Sequence, residues 1–173
     1  GQLLDSQGAQ AEVDGQMQPT QVVIKQLQID PDFIPNYQME VIAGRNFSDD
    51  WSRDSANFIL NEKSVEIIGW EGPEDAIGKR MNYGGVAGRV IGVVKDFHFQ
   101  SLHDRIEPVA MYMGYEPDHV SNFTTVRISA EDVQGSLASL EQTWQALRPD
   151  QSFDYFIHWI SIICAEVGRH PEL

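Results

Sequence analysis

The chain has 173 residues, 42% of them hydrophobic and 22% charged, which excludes a disordered tail and provides the apolar surface of one globular domain or two small lobes. Twelve Lys and Arg against twenty-six Asp and Glu give a formal charge of −14, which repels phosphate backbones and anionic headgroups and argues against nucleic acid as a partner. The single cysteine, Cys164, excludes an intrachain disulfide, a CxxC redox pair and a cysteine-rich zinc site.

Residues 1–20 carry Gln, Gly, Asp and Ala with few large apolar side chains, a composition that predicts a loosely attached lead-in that buries little. From Gln21 a partly alternating, β-branched run predicts a strand with Val22, Ile24 and Ile29 toward a core. Asp30-Pro31-Asp32 stops it; Asp30 is positioned to cap a short helical turn in which Phe33 and Tyr37 share one face. Gly44 to Ser48 closes that unit, and Asp49 to Ala56 reads as a polar loop before the apolar strand Phe58-Ile59-Leu60.

Asn61 follows as the N-cap of a helix that turns Val65 and Ile68 inward and stops at Gly69. A Pro-initiated turn, Pro73 to Ile77, ends at Gly78. Tyr83-Gly84-Gly85-Val86 reads as a hairpin connection into Arg89 to Lys95, the strongest buried-strand pattern in the chain and a central one. Val109 to Met113 and Thr124 to Ile128 read as two further strands. Ser129 is read as the start of the clearest helix, with Asp132 completing a capping box and Val133, Leu137, Leu140, Trp144 and Leu147 forming one stripe. Phe153 to Ile157 reads as a returning strand. This order mixes hairpins with crossovers, so the fold class is α+β, a mixed sheet with short crossover helices, and not a doubly wound sheet.

The chemistry-bearing residues gather in one segment. Asp96, His98, His103 and Asp104 form the candidate His/Asp site of a hydrolase. His98 and His103 are not four apart, no general-base Glu lies between them, and Phe97 and Phe99 flank His98, so the segment reads as structural. Gly84 to Arg89 lacks the Lys-Ser/Thr of a phosphate loop and precedes a strand instead of following one. Cys164 has no strand-turn-helix context for a nucleophile and reads as inert packing. Asn46 and Asn122 head sequons short enough to arise by chance. Trp51 and Trp70, in polar contexts, are candidate partner-surface aromatics, or caps on a core edge. A plain ligand-binding module is the third reading, one that requires a large apolar pocket with convergent polar groups.

No run approaches the roughly 20 apolar residues that span a bilayer, the longest candidate being Phe156 to Ala165, broken by His158 and Ser161. The opening Gly1-Gln2 has no initiator Met and no leader, so the chain reads as an excised piece of something longer.

Three segments carry a family pattern: Pro31-Asp32-Phe33 through Gly44-Arg45-Asn46-Phe47-Ser48; Phe58 to Glu62 running to Gly69-Trp70; and Ala76-Ile77-Gly78-Lys79-Arg80. They resemble the MacB-like periplasmic core domain of FtsX-type ABC transporter permeases, as does Val90 to His103 with Ile106-Glu107-Pro108, the most specific part. The resemblance is nearest to the large Bacteroidetes-type permeases, which carry two such domains between their membrane helices. It implies small porter-like α/β lobes over residues 21–156, after the 1–20 lead-in.

The residues that match the family motif are Gly44, Arg45, Phe47, Asn61, Glu62, Gly69, Trp70, Gly78, Gly92, Asp96, Phe97 and His98, and the resemblance implies that they are structural. It further implies no catalytic residue, no cofactor and no metal. The implied setting is the periplasmic side of the cytoplasmic membrane, in a full-length membrane protein whose partners are a cytoplasmic ATP-binding subunit and a second permease copy or a periplasmic adaptor, in efflux or envelope signalling. Residues 1–20 show little of the strand and helix with which the family domain begins. Residues 157–173 depart from the pattern and read as a tail of cloning or reading-frame origin.

Overall fold

Along residues 3–113, short β-branched runs alternate with helical turns of four to seven residues. In chain order these are β1 (Leu3–Leu4), β2 (Gln10–Val13), β3 (Gln16–Pro19), β4 (Lys25–Ile29), α1 (Phe33–Asn36), β5 (Val41–Gly44), α2 (Trp51–Asp54), β6 (Phe58–Asn61), α3 (Glu62–Ile68), α4 (Pro73–Ala76), β7 (Arg80–Tyr83), β8 (Val86–Val94) and β9 (Val109–Met113). The computed structural model describes residues 3–4, 9–20, 23–97, 105–113 and 125–155. These fall into two compact units, one up to residue 113 and one over 125–155.

The nine strands of the first unit make one mixed sheet in the order β1-β4-β9-β6-β8-β7-β2-β3, with β5 also paired to β8. β4–β9 and β6–β8 are parallel; β6–β9, β5–β8, β7–β8 and β2–β7 are antiparallel. This is the α+β class that the element order implies. β8 is central, as its apolar pattern requires: residues 86–89 pair with β7 and residues 90–94 with β6.

Successive strand residues face opposite sides of a sheet, and the apolar residues of β6 and β9 sort accordingly. Phe58, Leu60 and Ala110 join Val65, Trp70, Met81, Tyr83 and Val90 in one core, whereas Ile59, Val109, Met111 and Met113 join Leu27, Ile34, Phe47 and Phe97 in the other. Both faces of β6 are therefore covered, and all four of its residues are buried. The cap residues of α3 are as expected: the Asn61 side chain accepts from Ser64 N, and Gly69 takes the left-handed C-terminal conformation with φ 87°.

Several expectations are corrected. The lead-in buries more than its composition indicates: β2 and β3 form a hairpin, Ala9 and Ala11 are buried, and β2 pairs with β7. Asp14 and Gly15, with φ of 50° and 76°, make the turn. The polar loop at 49–56 contains the helical turn α2, with Ser52 N donating to the Asp50 carboxylate. Asp30 caps α1 only through its backbone carbonyl, which accepts from Phe33 N; Asp32 is the N-cap residue and makes no side-chain cap. Phe33 and Tyr37 do share a face, stacked at 4.3 Å.

The second unit is built on α5 (Val133–Leu147), whose cap is Asp132, accepting from Gly135 N, and not Ser129, which holds Glu131 N in a turn. No residue of α5 is buried. Residues 125–128 and 153–155 are not strands, so strand propensity alone did not decide their conformation. Phe153 instead packs near Trp144 and Tyr155, at 6.4 and 5.4 Å between ring centroids.

Candidate functional site

Three of the motif residues, Asn61, Glu62 and Asp96, meet where β6 and β8 end. Asn61 closes β6 with its side chain fully buried, so each of its polar atoms must find a partner within the protein. Its Nδ2 donates to the Glu107 carbonyl at 2.9 Å, and its Oδ1 accepts from Val109 N at 2.9 Å and Ser64 N at 3.2 Å. Ser64 Oγ lies 2.8 Å from that same oxygen and 2.9 Å from the Val109 carbonyl, and its one proton goes to one of them. A single amide thus joins the end of β6, the first turn of α3 and the start of β9.

Glu62 and Asp96 are interlocked beside it. Asp96 N donates to the Glu62 carboxylate at 2.9 Å, while Lys63 N, in the first turn of α3, donates to Asp96 Oδ1 at 2.8 Å. The pair caps the helix and fixes the chain leaving β8. Burial pushes the Asp96 carboxyl above its ordinary range, and the charge of Glu62 adds to the shift, against the hydrogen bond from Lys63 N.

The third junction is where Gly44-Arg45 crosses β8. Arg45 N donates to the Ile91 carbonyl, and a Cβ on Gly44, whose φ is 71°, would sit 2.2 Å from that same oxygen. A Cβ on Gly92 would meet the Arg45 carbonyl at 2.3 Å, so neither position accommodates a side chain. Arg45 then grips Asp54 through two hydrogen bonds of 2.7 Å. Asp54 is 0% exposed and also accepts from Ser48 N and Asn57 Nδ2. The Arg45 guanidinium, first among these donors, holds the Asp54 carboxyl well below the usual carboxylate range, although burial opposes it. Asn46, head of a sequon, has its Nδ2 committed to the Pro31 carbonyl.

Phe47 and Phe97 are buried in one core. Trp70, a candidate exposed aromatic, is 6% exposed and caps the other; its Nε1 donates to the Glu12 carbonyl at 2.7 Å, and Lys79 Nζ lies 5.3 Å from the ring centroid. Gly78, with φ 84°, donates its N–H to Val90. His98, His103, Asp104, Asn122, Cys164 and the side chain of Trp51 lie outside the described residues.

These contacts hold backbone to backbone. The buried hydroxyl of Ser64 faces an amide oxygen and a carbonyl, neither a base that could activate it. Among the described residues no three His, Cys, Asp or Glu are grouped to hold a metal ion, and no helix is long and apolar enough to cross a membrane. An open cleft of about 360 Å³ lies across β7, β8 and the β2–β3 hairpin, with none of the motif residues in its lining.

Sequence reasoning missed Asp54, nine residues from its arginine, and Ser64, a helix residue of no special pattern. It also missed Glu12, whose carboxylate takes both N and Nε of Arg80 at 3.0 Å. The Asp14-Gly15 turn dipeptide was the available signal for that hairpin.

No protein-family model matches the chain, and no curated protein matches it in sequence. Solved structures are similar to it. The periplasmic region of MacB from Actinobacillus actinomycetemcomitans is 20% identical over 85% of this chain and 65% of that one, with a TM-score of 0.51. The extracellular domain of the noncanonic ABC-type transporter YknZ from Gram-positive bacteria is 18% identical over 64% of this chain and 52% of that one, with a TM-score of 0.42. A domain of a Porphyromonas gingivalis protein assigned as a permease is 20% identical over 86% and 70%, with a TM-score of 0.48. The chain therefore spans about half of the YknZ domain and under two thirds of the MacB region. The fold is therefore similar to that of the periplasmic region of MacB.

Proposed function

We propose that this chain is a non-catalytic extracytoplasmic domain of an ABC transporter permease. It stands on the periplasmic side of the cytoplasmic membrane and passes movement driven by ATP hydrolysis to a substrate or envelope partner, in export or in mechanical signalling. The observation that carries this reading is the likeness to the periplasmic region of MacB over 85% of the chain. The contacts of the motif residues support it. Gly44, Arg45, Asn61, Glu62, Gly92 and Asp96 make or permit backbone crossings, a use of polar side chains that suits a stiff body better than a reaction centre. A sheet packed on both faces has low compressibility and transmits displacement.

On this reading the partners are a cytoplasmic ATP-binding subunit and a second permease copy or a periplasmic adaptor. Residues 21–156 make the core domain together with the β2–β3 hairpin, and 157–173 are foreign to it. The test is affinity purification of the full-length native protein from detergent-solubilised membranes, with mass spectrometry of what accompanies it. A stoichiometric ATP-binding subunit is the expected result. A protein that purifies alone from the soluble fraction and loses a hydrolytic activity on His98→Ala would replace this reading with the hydrolase.

A further inference from the structure

We propose that the open face of the β8–β7–β2–β3 ribbon docks an extended acidic segment of a partner protein, its carboxylates received by Arg89 and Arg80. Met81 and Tyr83 are buried on the core side of β7, so by alternation Arg80 and Asn82 stand on the other side. Arg80 and Arg89 are directly opposite each other across β7 and β8, and like charges so placed destabilise a sheet. Glu12, the carboxylate beside them, is committed to Arg80. Arg89 donates Nη1 to the Gly78 carbonyl and feels the charge of Glu12, but it makes no direct ion pair with a carboxylate among the described residues, in a chain with twenty-six acidic and twelve basic residues. The face thus carries two guanidinium groups against one carboxylate, and a carboxylate brought from outside completes the pairing in the bidentate geometry that arginine favours.

The form of the cleft narrows the ligand. At about 360 Å³ and open to solvent, it lies across strands and not within a cavity, which suits a chain segment laid over it. Gln10 and Asn82 offer carboxamides to a peptide backbone, and Met17 and Ala87 offer apolar contact between them. The edge of β3 is the less suitable place. Thr20 N donates inward to the Ala9 carbonyl, so the Pro19 nitrogen next to it faces the open edge, where it has no hydrogen to give. The −14 charge repels an acidic partner at a distance, but screening at physiological salt limits that repulsion to about 8 Å, so recognition rests on local contact.

The test titrates the 173-residue chain with a fluorescent peptide of alternating Glu and Val, and with matched Gln/Val and Lys/Val peptides, and maps the site by amide chemical shifts. The acidic peptide alone is expected to bind, shifting Arg80, Asn82 and Ala87. Arg89→Glu should weaken it at least tenfold, and Ala87→Glu, which leaves both arginines in place, should do the same with Tm unchanged. Equal binding of the Gln/Val peptide, no binding at millimolar concentration, or affinity unmoved by either substitution would overturn the proposal. So would a dimer in light scattering that Ala87→Glu dissolves, since a second copy would then occupy the face.

Discussion

Replacing Asn61 by Ala removes the amide that joins β6, α3 and β9, and the structure fixes what is left behind. Val109 N and Ser64 N lose their acceptor inside the protein, whereas the Glu107 carbonyl belongs to an exposed residue and recovers water. Ser64 Oγ keeps the Val109 carbonyl. Two orphaned buried donors at about 1 to 3 kcal/mol each, the second of which is also the lost helix cap, place the cost at about 3 kcal/mol. For a unit of this size that is a fall in Tm of roughly 10 °C. Urea unfolding followed by tryptophan fluorescence, with Trp144 replaced by Phe so that the second unit does not contribute that signal, should show a lower midpoint with an unchanged slope as buried Trp70 becomes exposed. Ser64→Ala, which removes the hydroxyl alone, should cost about 1 kcal/mol. An Asn61→Ala cost below 1 kcal/mol would refute the reasoning, because the three elements would then be held by packing without the amide.

Asp54→Asn should cost about 2 kcal/mol at neutral pH, a figure moderated because the Arg45 side chain is 41% exposed. The folded-state pKa of Asp54 lies well below its ordinary 3.8, so its contribution is complete above the ordinary value and is lost progressively as pH falls from there through the folded-state pKa; the wild-type and variant stability curves should approach each other over that acid range. Asp96 has the opposite sign: its raised pKa favours the protonated fold, so stability declines as pH rises through that pKa, and Asp96→Asn should flatten the profile while its Oδ1 still accepts from Lys63 N. Gly44→Ala should cost more than 2 kcal/mol from a clash with the Ile91 carbonyl added to backbone strain, against about 1 kcal/mol for Gly69→Ala, where a Cβ meets nothing within 4 Å. Calorimetry of the two glycine variants side by side separates clash from strain.

What could be read in advance was local. The β-branched run of β8, the Gly84-Gly85 connection, the Asn61 cap and the Gly69 stop each declare themselves within a few residues, since turn and cap chemistry acts through neighbouring backbone groups. The β2–β3 hairpin was misread because its strands are short and Gln-rich and are held in part from afar, by Trp70 and Arg80. The strand assigned to 125–128 failed for the converse reason: propensity was present, and among the described residues of that unit there is no partner strand. The motif glycines were recognisable, but why Gly44 and Gly92 must be glycine depends on a crossing of segments nearly fifty residues apart. That Asn61 serves β9 as well as α3 needed the fold, because its contact with Val109 spans forty-eight residues.

The central claim, an extracytoplasmic domain of a membrane permease, is tested most directly by immunoblot of fractionated native cells with an antibody against this chain, before and after protease treatment of spheroplasts. The account predicts a band several times larger than 19.5 kDa, in the cytoplasmic-membrane fraction, whose epitope external protease destroys. A band near 20 kDa in a soluble fraction, or a membrane band whose epitope is protected in intact spheroplasts, would contradict it.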